Sequence, residues 1–166
     1  MSKLWLLALI MLFSSLVESS FAAVANFEEG VAKASMVLGA SDLVSVSVET
    51  IESPKGHVYS KAYMWGGDET SPPKRIIKAI TVLRNGQIFF IPLSAYADLG
   101  NPREISLEKL PKHGFRLILS GGDAAGSYNA MLDFKKNEIS RRKVTSGEFP
   151  KEVWEETVFS FNHLNN

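Results

Sequence analysis

The sequence predicts a mainly β fold: an antiparallel β-sandwich or small meander barrel of about seven to eight strands, with one short N-terminal helix. Three observations carry this expectation. Apolar residues alternate with polar ones in short runs, as in Val44-Val46-Val48 and Phe115-Leu117-Leu119. Turn-forming clusters such as Ser53-Pro54-Lys55-Gly56 and Asn85-Gly86 separate the runs. The chain has 166 residues, 45% hydrophobic and 22% charged, which suits one ordered globular domain.

Residues 1–25 read as an export signal. Lys3 supplies a positive start, Leu4 to Leu12 is an unbroken apolar run, and small residues follow. The small-x-small rule fits cleavage after Ala22 (Ser20-Phe21-Ala22) or after Ala25 (Ala23-Val24-Ala25). The apolar run is shorter than the roughly 20 residues of a membrane span, so no span is expected once the signal is removed. Residues 26–166 then form one β-rich domain, and the localisation is periplasmic or secreted.

Asn26 to Leu38 is the expected helix, with Asn26 as N-cap and Gly39 as terminator. Gly30 in its interior weakens it, and a strand-like start is the alternative. Residues 42–52 alternate as a strand. A second strand over 57–65 carries Tyr59, Tyr63 and Trp65 on one face, and a loop follows from Gly66 to Lys74. This loop shares the Gly-Gly-Asp triplet of residues 121–123, which reflects common turn chemistry and not a duplication. Ile76 to Ile91 is a hairpin about Asn85-Gly86, with Leu83 facing Ile88 and Val82 facing Phe89; both its faces are apolar, which predicts a central position. Pro92 ends it. Residues 93–113 form the longest irregular segment expected, an unusual length unless it packs or binds something.

Gly114 to Val144 holds the clearest local structure. A strand through Leu119 leads into the loop Ser120 to Gly126, then into a strand with Tyr128, Ala130, Leu132 and Phe134 on one face. A turn at Lys136-Asn137 should place Phe134 opposite Ile139 and Asp133 opposite Ser140. Arg141, Arg142 and Lys143 then read as a partly solvated strand protected from edge pairing by charge. Residues 146–156 are a loop or short helix around Trp154. A last strand alternates Thr157, Phe159 and Phe161, before a polar tail.

Composition and spacing exclude several chemistries. There is no cysteine, so disulfides, thiol catalysis and thiolate metal sites are ruled out. A net charge of +0 gives no global field for nucleic acid. His57, His113 and His163 stand alone, without metal-ligand spacing, so neither metal nor cofactor is expected. No G-x-S-x-G elbow occurs. Asp68, Asp98, Asp123 and Glu155 lie in predicted loops, where carboxylates ordinarily serve as solvated turn residues; a small envelope hydrolase would need two of them to converge.

The favoured reading is a non-catalytic binding module of the cell envelope, with a protein or glycan partner. The expected contact residues are Ser120, Gly121, Gly122, Asp123, Ser127 and Tyr128, since a small-residue loop on a rigid sheet lets backbone approach a partner. The nine residues SGGDAAGSY, 120–128, resemble the Ser-Gly loop near a tyrosine with which periplasmic lysozyme inhibitors plug an enzyme cleft, although the spacing departs from their shorter Ser-Gly-x-x-Tyr form. That resemblance implies an inhibitory protein contact. The aromatic stripe Tyr59, Tyr63, Trp65 is the second expected surface. A purely structural envelope protein is the remaining class.

Overall fold

A computed structural model of the chain describes residues 23–54, 64–67 and 72–161. It holds ten strands: β1 (Ala23–Asn26), β2 (Val31–Gly39), β3 (Asp42–Glu52), β4 (Arg75–Arg84), β5 (Gln87–Ile88), β6 (Pro102–Leu110), β7 (Gly114–Gly121), β8 (Tyr128–Lys135), β9 (Glu138–Ser146) and β10 (Val153–Val158). They form two antiparallel sheets, neither closed into a barrel. One has six strands in the order β1-β6-β7-β8-β9-β10, and the other has four in the order β2-β3-β4-β5. Both buried faces feed one hydrophobic core, with Val44, Val46 and Val48 from the smaller sheet and Leu117, Leu119, Leu132 and Phe134 from the larger. Phe89 reaches across to Phe115 and Phe134 at ring separations of 6.1 and 6.0 Å. Among the described residues no helix is long and apolar enough to cross a membrane.

The expected N-terminal helix over Asn26–Leu38 is replaced by strands. Glu29 and Gly30 both take positive φ (48° and 85°), so the backbone reverses there and Glu28 pairs with Val31 across a tight turn. Beyond it, Ala32, Ala34 and Met36 are buried while Lys33, Ser35 and Val37 are exposed, a period of two. Alanine is a strong helix former, which disguised the alternation; pairing with β3 overrides that preference.

The irregular segment predicted over 93–113 also contains a strand. Ile105 and Leu107 are fully buried in β6, between β1 and β7, with Glu104, Ser106 and Glu108 on the other face. Glutamate and lysine, poor strand formers, hid this alternation. Asn85-Gly86 makes the expected hairpin turn with φ of 51° and 82°, and Leu83 faces Ile88. The hairpin is not central, however: β5 is two residues long, forms the sheet edge, and leaves Ile88 and Phe90 exposed.

Phe134 faces Ile139 as expected, but Asp133 faces Arg141 and not Ser140. Ser140 is the extra residue of a β-bulge, its hydroxyl donating to the Asp133 carbonyl at 3.1 Å. The bulge reverses the alternation of β9. Arg141 joins Asp133 on the outer face, and Arg142 opposes the core residue Leu132. Arg142 is therefore buried, at 3% exposure, and β9 is covered by β10, so the expected solvated charged edge is not formed. Arg116 and Arg141 clamp the buried Asp133 at 2.6 and 2.7 Å. Burial pushes the Asp133 carboxyl upward, but hydrogen bonds from Arg116 and then Arg141 prevail and hold it below the usual carboxylate range.

A carboxyl with a depressed folded value stabilises the native state above its unfolded value, and that stability is lost as pH falls through the folded value. Urea titrations from neutral pH to below about pH 4 should therefore show a shallower acid-induced loss for Asp133→Asn than for the native chain. The variant should also be less stable at neutral pH, because two arginines lose their acceptor. Parallel pH profiles for the two proteins would contradict this account.

Candidate functional site

The loop after β7 is packed through its glycines. Gly121 is still in β7, Gly122 takes a φ of 71°, and Ala124–Gly126 makes one turn of 3-10 helix capped by the Asp123 carboxylate, which accepts from the Ala124 N–H at 2.8 Å. Two glycines are demanded by contact. A Cβ on Gly121 would meet the Tyr128 hydroxyl at 2.5 Å, and one on Gly126 would meet the Gly67 carbonyl at 2.7 Å. The Gly-Gly pairs at 66–67 and 121–122, separate in sequence, thus lie in the same packed region, and the Gly122 N–H donates to the Asn101 carbonyl at 3.1 Å.

Tyr128 is 1% exposed and donates its hydroxyl to the Gly100 carbonyl at 3.1 Å. Burial, and next the nearby Asp98 carboxylate, push its phenol well above the ordinary value. Its ring is core, and it presents no contact surface. Ser127 is buried against Gly147, so only Asp123, Ala124 and Ala125 remain exposed at the tip.

Beside the loop the outer face of the larger sheet forms an open groove of about 470 Å³, whose lining includes Asn26, Arg103, Glu104, Ser120, Ser127 and Asn129. Its floor, formed by Asn26, Glu104, Ser120 and Asn129, is set by register. Asn26, Glu104, Ser120, Asn129 and Thr145 are successive cross-strand partners through β1, β6, β7, β8 and β9. Amide, carboxylate and hydroxyl groups therefore stand in a row, spaced at about the 4.8 Å separation of adjacent strands. Ser120 donates to the Asn129 side chain at 2.8 Å, and the buried Thr145 hydroxyl has no partner. Pairing of β6 and β1, neither expected from the sequence, creates half of this row.

Two of the carboxylates weighed as acids do converge. Asp98 and Glu155 both accept from Arg142, at 2.6 and 3.1 Å. The segment 93–101 packs on the inner face here, with the Ser94 carbonyl accepting from Arg142 at 3.2 Å and Tyr96 and Leu99 buried. Each carboxylate spends an oxygen on one guanidinium, and neither lines the groove, so the arrangement reads as an ion triad in which two part-exposed carboxylates satisfy the buried Arg142. Trp65 stacks on Trp154 at 5.3 Å, both partly buried against the core. Tyr59, Tyr63 and Asp68 lie outside the described residues. Among the described residues no group of three or more acidic or histidine side chains is placed to hold a metal ion.

The chain matches no family model, and no curated protein or solved structure matches it.

Packing assigns opposite outcomes to residues of the same loop. Gly121→Ala and Tyr128→Ala should each destabilise the fold, the latter by about 3–5 kcal/mol, while Asp123→Ala should stay within about 1 kcal/mol of the native chain. Equilibrium denaturation measures all three. A freely tolerated Gly121→Ala would mean the loop is not packed as described.

Proposed function

We propose that the protein is an exported, non-catalytic binding module of the cell envelope, built as a β-sandwich. Its contact surface is the groove floored by the row Asn26-Glu104-Ser120-Asn129 and walled by Ser127 and Arg103. The row is the observation that supports this reading. A polar chain laid across β1, β6, β7 and β8, a glycan or a protein segment, meets a donor or acceptor at each of these strands, and the sheet holds these groups without further ordering on binding. Asp123 sits at the rim and contributes less than the row. The packed loop does not favour insertion into an enzyme cleft, so the groove replaces the loop tip as the proposed contact.

The register of β1 supports signal cleavage after Ala22 in preference to Ala25, because the later site would remove three residues, Ala23, Val24 and Ala25, that pair with β6. Intact mass of the exported protein should begin at Ala23. A chain beginning at Asn26 and folding with unchanged stability would refute this choice.

The groove is tested by retention on immobilised envelope glycans and, separately, on envelope protein extract. Ser120→Ala combined with Asn129→Ala should weaken retention roughly tenfold or more on one of the two supports, since two hydrogen-bonding side chains contribute about 1–3 kcal/mol together. Retention indifferent to this double variant, and reduced by Asp123→Ala instead, would return the contact to the loop tip.

A further inference from the structure

We infer that the end of the larger sheet opposite the Gly-rich loop docks on a membrane surface bearing anionic phosphate headgroups. The inference is independent of the groove, since β7 separates the two regions, running from the hairpin tip before Gly114 to the loop after Gly121. At this end a cleft of about 680 Å³ is lined by Lys112 from one hairpin tip, by Lys135 and Lys136 from the next, and by Arg116, Arg141 and Val158. Asp133 is the one acid in its lining, and it is already clamped by both arginines. Glu108 and Glu156 reach those arginines from outside the lining, at 3.7 and 3.3 Å, which still leaves the three lysines without an ion pair among the described residues.

The formal charge of the whole chain is +0, so this excess of cations is segregation and not composition. Lys112 and Lys136 hold φ of 59° and 56°. Positive φ belongs to tight turns, so both lysines stand at the tips of their hairpins.

Apolar side chains flank the lysines. Val158 is 75% exposed in the cleft wall. The chain continues from it into Phe159 and Phe161, whose rings stack at 6.2 Å. Phe161 meets Phe90 edge-on at 5.8 Å, and Phe90 is 60% exposed. A soluble anion or a nucleic acid would use the ammonium groups and leave this apolar edge in water. A membrane uses both: headgroup phosphates face the lysines, and Phe90 and Val158 enter the boundary between headgroups and acyl chains. Charge complementarity and the adjoining apolar edge therefore select the same occupant.

The test is sedimentation of the protein with phosphatidylcholine vesicles, with and without phosphatidylglycerol. Binding is expected only when phosphatidylglycerol is present, weakening as salt rises. The variant Lys112→Asn, Lys135→Gln, Lys136→Asn keeps residues that tolerate the turns while removing three charges, and should lose on the order of a hundredfold in affinity. Phe90→Ala with Val158→Ser should weaken binding to the anionic vesicles further at high salt than at low salt. A melting curve for each variant confirms that it is folded. Equal binding to both vesicle types, no binding to either, or native affinity in the triple-lysine variant would each overturn the inference. So would glycerol phosphate binding as tightly as the vesicles, which would make the cleft a site for a small soluble anion.

Discussion

A single extra residue, Ser140, decides how charge is distributed through the larger sheet. Strand side chains alternate, so consecutive arginines must occupy opposite faces, and the bulge chooses which goes where. With it, Arg141 meets Asp133 on the outer face and Arg142 points inward. Without it, Arg142 would share the outer face with Asp133 and Arg141 would enter the core. The two pairs of contacts stand or fall together. Asp133 is buried and needs both its arginines, while the inward Arg142 needs Asp98 and Glu155. The carboxylates that receive Arg142 come from a connecting segment and from β10, so the bulge also fixes what those two elements must do.

That requirement accounts for the long connection before β6. A six-stranded sheet facing a four-stranded one has inner surface to spare. Segment 93–101 packs there, burying Ala95, Tyr96 and Leu99, placing Asp98 on Arg142 and offering the Gly100 carbonyl to Tyr128. The glycines at 66, 100, 121 and 126 let these backbones approach one another where a Cβ would collide. A loop that looks like an adaptable binding element in sequence is thereby a packing joint. Its glycines are explained by neighbours within the fold.

Among the described residues the proposed contact surfaces lie on the outer face of the larger sheet and at its ends. Near the loop, register lines up short neutral and acidic side chains in an open groove. At the far end, hairpin tips gather lysines beside an apolar edge. These surfaces differ in chemistry because strand alternation and direction sort residues by face and by end. Charge that sums to zero along the chain is unevenly placed, with lysines gathered at one end of the sheet.

The sequence by itself determined the β class, the strand at 42–52, the Asn85-Gly86 hairpin and the buried faces of β7 and β8, because period-two alternation and turn chemistry act over a few residues. It also carried the core role of the Tyr128 ring, which follows from sharing a face with Leu132 and Phe134. Tertiary structure alone decided that the run at 31–39 is a strand, that 102–110 is another, and that Arg142 is buried. In each case the local preference was weak or pointed elsewhere, and pairing with a strand distant in sequence overrode it. The polar row across Asn26, Glu104, Ser120, Asn129 and Thr145 belongs to the same category. Its members are separated by many residues along the chain, and only cross-strand register, which no local pattern encodes, brings them into line.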